Sequence, residues 1–168
     1  MINSILRYGL IFLILILLQV LVFNNIQFSG YVNPYVYVMF ILLLPVEIPQ
    51  WLLIIISFFT GLTVDFFTGT TGMHAGATVM AGFVRPYILR FISPRDGYEP
   101  GANPSMGIYG FRWFLFYTIL MVTVHHFLLF FLEVFRFTGF FHTMLRVILS
   151  SVFTVTFILL AEYYRKGR

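Results

Sequence analysis

The chain contains no cysteine and few charges, with ten basic and six acidic residues among 168. The first absence excludes disulfide staples, thiolate catalysis and Cys-ligated metal, and leaves the redox compartment open. The second argues against an ordinary soluble domain, because charged residues are 10% of the chain and apolar residues 60%. With 22 phenylalanines and a mean hydropathy of +0.95, a soluble core of ordinary proportions cannot hide the apolar surface. The net charge is +4, but no long basic run or basic-aromatic groove pattern accompanies it, so nothing points to nucleic acid. These features predict an all-α polytopic protein of the lipid bilayer, one integral membrane domain over 1–168.

Six hydrophobic segments, 5–23, 35–46, 51–68, 72–92, 113–132 and 140–163, read as transmembrane helices. Each comes near the roughly 20 residues that cross a bilayer, except the shorter second. Glu47-Ile48-Pro49-Gln50, with Pro45 nearby, predicts a tight hairpin between the second and third. Merging them would give a span far longer than the hydrocarbon thickness. The run after Arg7 reads as a retained helix rather than a cleaved signal, because Phe23-Asn24-Asn25-Ile26-Gln27 offers no small-residue cleavage site.

Basic residues set the orientation. Arg7, Arg90, Arg95, Arg112, Arg165, Lys166 and Arg168 fall on one side and Arg136 on the other, so both termini are expected in the cytoplasm. Tyr31, Tyr35 and Tyr37 at one boundary, with Tyr8, Trp51, Trp113, Tyr163 and Tyr164 at the opposite one, fit two aromatic belts. The cytoplasmic loop 93–110 carries three of the seven prolines, Pro94, Pro100 and Pro104. It reads either as a flexible connector or as a docking surface for a cytoplasmic partner. No internal repeat of the kind found in many secondary transporters is present, and the tail Arg165-Lys166-Gly167-Arg168 reads as a topology anchor.

The polar residues inside the apolar runs carry most of the remaining information. An acid or base at the centre of a membrane helix costs roughly 2.5 to 3.5 kcal/mol on insertion scales, so Asp65 needs a partner or water. Asp65 precedes the outer end of its helix by about six residues and Arg146 follows the outer start of the last by about six, which places both roughly 9 Å deep. Either they form a buried ion pair locking the third helix to the sixth, or Asp65 reaches water in the outer loop while Arg146 snorkels outward. In the fourth segment, Gly72/Gly76 and Ala77/Ala81 put small residues at spacing four, a pattern that admits a close neighbouring helix. Pro86 cannot donate to the carbonyl of Gly82, which predicts a bend beside Arg85. Arg85 itself is expected to snorkel towards the inner leaflet.

All four histidines fall in the outer half: His74, His125, His126 and His142. No H-E-x-x-H or comparable ligand spacing occurs, and adjacent His125 and His126 point to different helical faces, so helix-helix hydrogen bonding is the expected role and no metal or other cofactor is expected. Ser57, Ser150 and Ser151 lack the setting of a nucleophile, and no phosphate loop or dinucleotide-binding glycine pattern is present, so the chain is not expected to be an enzyme.

The stretch Gly61-x3-Asp65-x6-Gly72-x-His74-Ala75 resembles the most recognisable stretch of the rod-shape-determining MreD family of bacteria, as do the length, hydropathy profile and expected cytoplasmic termini. The Pro/Gly-rich loop and the Arg85-Pro86 pair are not features the family demands. The resemblance implies a non-enzymatic multipass scaffold of the inner membrane that maintains rod shape and organises peptidoglycan synthesis. Its implied partners are an MreC-type periplasmic scaffold, a RodA-type glycosyltransferase, a class B penicillin-binding transpeptidase and an MreB-type actin homologue. Asp65, Gly72, His74, Gly76, Arg85 and Arg146 are the expected partner-binding or fold-locking residues. Members of the family are similar in fold to the six-helix substrate-binding subunits of energy-coupling-factor transporters, which implies a rival reading. There Asp65, His74, His125, His126 and Arg146 would line a small-molecule pocket. Phenylalanines crowd the last two helices (Phe114, Phe116, Phe127, Phe130, Phe131, Phe135, Phe137, Phe140 and Phe141), which favours an apolar partner-facing groove over a polar ligand cage.

Overall fold

The computed structural model describes residues 2–26, 32–135 and 139–166, the side chains of residues 2–4 and 166 excepted. Tyr31, Arg136, Phe137 and Arg168 lie outside the described residues, as does the side chain of Lys166. The described residues form helices α1 (Ile2–Leu21), α2 (Met39–Leu43), α3 (Gln50–Thr68), α4 (Met73–Phe91), α5 (Met106–Tyr109), α6 (Phe111–Val134) and α7 (Phe140–Lys166). Short 3-10 turns occur at Phe23–Asn25 and Val36–Val38. Four stretches, covering α1, α3, α6 and α7, are long and apolar enough to cross a membrane, and they make this a multipass membrane protein. Helix α4 has comparable length, 19 residues, but its glycines, alanines and two arginines make it less apolar.

The second hydrophobic segment departs from the expected helix over 35–46. It folds as the Val36–Val38 turn running into the five-residue α2, bounded by Pro34 and Pro45, neither of which can supply a helical amide hydrogen. Every residue from Val36 to Leu44 is buried. This short piece is the centre of the bundle. Leu15, Leu53, Phe114, Tyr117, Met121 and Ile158 from four longer helices join it in one apolar cluster. The opposite faces of those helices display Leu13, Phe59, Phe116 and Ile148 outward, the polarity expected where hydrocarbon replaces water.

Helix α3 packs on α4, α4 on α6 and α6 on α7. The tightest of these approaches is set by two glycines. A Cβ on Gly61 would stand 2.5 Å from Cα of Ala75 and would also strike the carbonyl of His74, and one on Gly82 would stand 3.0 Å from Cβ of Ser57. Both are inside van der Waals contact, so only the missing side chain lets α3 and α4 close. Gly76 has a looser fit, 3.3 Å from the end of the Leu132 side chain, and Gly72 has nothing within 4 Å. The expectation that Gly72 serves close packing is therefore corrected. Its φ of +83° at the N-cap of α4, with Gly69 at φ +69° closing α3, shows that it serves the turn instead.

Helix α4 continues through Pro86. Residues 93–110 are not a free connector, because they are tied back onto the bundle. Val46 N–H donates to the carbonyl of Ala102 at 3.1 Å, Tyr8 to Asn103 at 2.6 Å, and Met106 N–H to buried Glu162 at 3.1 Å. The α1 start, the hairpin before α3, and the end of α7 are thereby fastened to one loop. Arg7, Arg90, Arg95 and Arg112 are exposed around that same end.

Candidate functional site

At the opposite end, Asp65 is 2% exposed, and its surroundings explain how a carboxylate tolerates that. Oδ1 accepts the backbone N–H of His74 at 3.1 Å and Oδ2 that of Ala75 at 2.8 Å, while the Thr70 hydroxyl also donates to Oδ1. With Gly72 as N-cap, these are the second and third amides of α4, two of the donors every helix leaves unsatisfied at its start. The carboxylate also meets the positive end of the helix dipole. Asp65 therefore caps α4 from the neighbouring helix. Gly61, one turn earlier in α3, lets the two backbones come close enough for those bonds.

The expected pairing of Asp65 with Arg146 does not form. Arg146 donates to both carboxylate oxygens of Glu133 at 3.1 Å, and its guanidinium carbon lies 4.6 Å from the centre of the Phe130 ring. Glu133 is closer in sequence, at the end of α6 across from the start of α7. Asp65 does not reach bulk water either, since the α4 amides and Thr70 replace it. Depth counting placed both residues at one level but could not supply their directions around the helices.

Arg85 is also corrected: it does not snorkel. Its relative exposure is 0%, and three of its five N–H groups are used inside the bundle. Nε donates to the Tyr117 hydroxyl at 2.8 Å, Nη1 to the Pro45 carbonyl at 3.2 Å and Nη2 to the Leu44 carbonyl. Tyr117 passes a further bond to the Leu42 carbonyl at 3.2 Å. The cation thus sits at the negative end of the short central helix. Asp65 and Arg85 are complementary devices, an acid on one buried helix start and a base on one buried helix end.

Three of the four histidines converge beside the Asp65 cap and are joined by hydrogen bonds through Tyr37 and Thr154. The carbonyl of Val122 can only accept, so Nδ1 of His126, 3.0 Å away, carries a hydrogen. Nε2 of His126 is then a lone pair that accepts from the Thr154 hydroxyl at 3.1 Å. Nδ1 of His125 lies 3.5 Å from Nδ1 of His126, and its Nε2 shares a hydrogen bond of 2.7 Å with the Tyr37 hydroxyl. The same hydroxyl lies 3.1 Å from Nδ1 of His74 and 3.2 Å from Oγ1 of Thr78, and Thr78 donates its hydrogen to the His74 carbonyl at 2.7 Å. Nε2 of His74 has no hydrogen-bond partner among the described residues. The Tyr35 ring sits edge-on to His74, centroids 5.0 Å apart. His142, the fourth histidine, is exposed at the start of α7. Among the described residues no group of three or more His, Cys, Asp or Glu side chains is arranged to hold a metal ion.

A cavity of about 460 Å³ opens at this end between α1, α3, α4 and α6. His74, Tyr35, Asn33, Thr70 and Glu133 are among the residues that line it. The sequence reading missed Gln19, Tyr37, Tyr117 and Thr154. Gln19 is fully buried in α1, donating to the Pro34 carbonyl at 3.1 Å and accepting from Tyr37 N–H at 3.3 Å. A lone amide in an apolar run was a readable signal for Gln19, whereas tyrosines near segment ends look like interface anchors and hide their internal roles. Comparison of the chain with family models, curated proteins and solved structures yielded no match.

Proposed function

We propose that this protein is a non-enzymatic membrane scaffold of the bacterial cell-elongation machinery, like the MreD proteins its sequence resembles. In this reading six segments enter the inner membrane, both termini are cytoplasmic, and the bundle presents surfaces to an MreC-type scaffold, a RodA-type glycosyltransferase, a class B transpeptidase and an MreB-type filament. One observation carries the proposal. The residues of the resembling stretch, Gly61, Asp65, Gly72, His74 and Ala75, form a single structural clasp in which the acid caps the helix that Gly72 starts and Gly61 lets come close. Polar groups consumed in holding two helices together support a shape-bearing role better than a chemical one.

The cavity at the Asp65 end favours a second reading, a small-molecule-binding subunit of the energy-coupling-factor type, because its volume lies within the roughly 300 to 1,000 Å³ usual for ligand sites. Depleting the protein in its native cell separates the two. The scaffold reading expects rods to widen and round while nutrient uptake continues. Unchanged cell shape with loss of uptake of one small molecule would replace it with the transporter reading.

A further inference from the structure

At the end of the bundle away from Asp65, the turn before α3, the last two turns of α4 and Tyr98 enclose another cavity, of about 300 Å³. Because α3 starts here and α4 stops here, the cavity lies where helices of bilayer length meet the headgroup layer. Three formally charged residues line it, and two arginines, Arg85 and Arg90, against one acid, Glu47, leave one net positive charge. Glu47 is engaged by the loop, its Oε2 accepting Gly101 N–H at 3.3 Å. Neither arginine has a carboxylate partner, since the ion pairs among the described residues are Arg146 with Glu133 and Arg165 with Glu162. Arg85 is fully buried and bonded only to neutral groups, two carbonyls and the Tyr117 hydroxyl. Its charge is therefore uncompensated, and a buried cation in that state favours an anion nearby. Arg90, five residues further along α4 and exposed, offers that anion a direct, charge-assisted contact.

Size and surroundings narrow the class of anion. The volume is at the lower limit usual for ligand sites, enough for a headgroup and too small for the acyl chains of a lipid. Apolar surface continues outside it. Trp51 on α3 and Phe83 and Tyr87 on α4 are exposed, and Gln50 joins the two helices there by donating to the Phe83 carbonyl at 3.2 Å. A free anion gains nothing from that aromatic surface, whereas a phospholipid lays its glycerol and chains against it. One net positive charge also matches the single negative charge of a phosphodiester. We propose that this cavity holds the phosphate of an anionic phospholipid, against Arg90 and above the buried charge of Arg85, with the acyl chains along the α3–α4 face. The site goes beyond the scaffold reading and requires only that the protein crosses a bilayer, so its failure leaves that reading intact.

Native mass spectrometry of the purified, delipidated full-length protein in detergent tests it, with phosphatidylglycerol and phosphatidylcholine of the same acyl chains titrated in turn. The two lipids share the phosphate and differ in net charge. One phosphatidylglycerol is expected to bind saturably and roughly tenfold more tightly than phosphatidylcholine. The substitutions fall on exposed residues, which spares the core. Arg90→Gln is expected to remove most of that preference, and Glu47→Gln to tighten phosphatidylglycerol binding severalfold by deleting the acid in the lining. Arg112→Gln, which alters an exposed arginine outside the cavity lining, is expected to leave the preference unchanged. Equal affinity for the two lipids, equal losses in the Arg90 and Arg112 variants, or displacement of phosphatidylglycerol by an equal concentration of free glycerol phosphate would overturn the proposal.

Discussion

The carboxylate of Asp65 and the backbone amide of Ala75 lie 2.8 Å apart across the α3–α4 interface. Together with the bond to His74 N–H, this turns a residue that is costly in a membrane into the cap of the next helix. Its removal would leave two buried amides without acceptors, so Asp65→Ala is expected to lower stability by about 2 to 4 kcal/mol. Asp65→Asn keeps one acceptor and is expected to lose about half as much. Unfolding of the purified variants in mixed micelles of increasing SDS fraction checks the ranking; equal losses would argue against the cap.

A double-mutant cycle separates the cap from an ion pair. Asp65→Ala and Arg146→Ala are expected to be additive within about 0.5 kcal/mol, because the two residues share no partner among the described residues. Glu133→Ala and Arg146→Ala are expected to couple by about 0.2 to 1 kcal/mol, discounted because the Glu133 side chain is 41% exposed.

Gly61→Ala is expected to cost about 1 to 3 kcal/mol, since the new methyl meets backbone on both sides. Gly76→Ala meets only the end of the Leu132 side chain and is expected to fall within about 1 kcal/mol of wild type. The same micelle titration tests both, and a Gly76 variant weaker than the Gly61 variant would contradict the assigned interface.

Much of the architecture was legible before any coordinates. Helices α3, α4, α6 and α7 begin and end within a few residues of the apolar runs that predict them, because long hydrophobic periodic segments punctuated by Gly and Pro leave little choice. The failures share one cause. Segment 35–46 has the apolarity of a span, but prolines at 34 and 45 limit its regular helix, and its burial depends on helices far away in sequence. Counting residues to Arg85 and Arg146 does not reveal a helix face, and the C-terminal carbonyls of α2 that hold Arg85 exist only because that helix stops early. Tyr37 was read as a belt residue because nothing local indicates that three side chains from α4 and α6 meet its hydroxyl.

Tyr37→Phe is expected to cost about 1 to 3 kcal/mol, because Nε2 of His125 loses its hydrogen-bond partner in a fully buried site. Tyr117→Phe removes an acceptor from Arg85 in the same way and is expected to cost a similar amount. The micelle titration again reads both, and variants as stable as wild type would show that these hydroxyls are not structural.

The scaffold reading is tested most directly by quantitative affinity purification from native membranes, comparing wild type with Asp65→Ala at equal expression. It predicts that cell-elongation proteins, an MreC-type scaffold foremost, copurify with wild type and are depleted severalfold in the variant as the α3–α4 clasp opens. Copurification of an ATPase pair with a coupling subunit, and of no cell-wall protein, would contradict it.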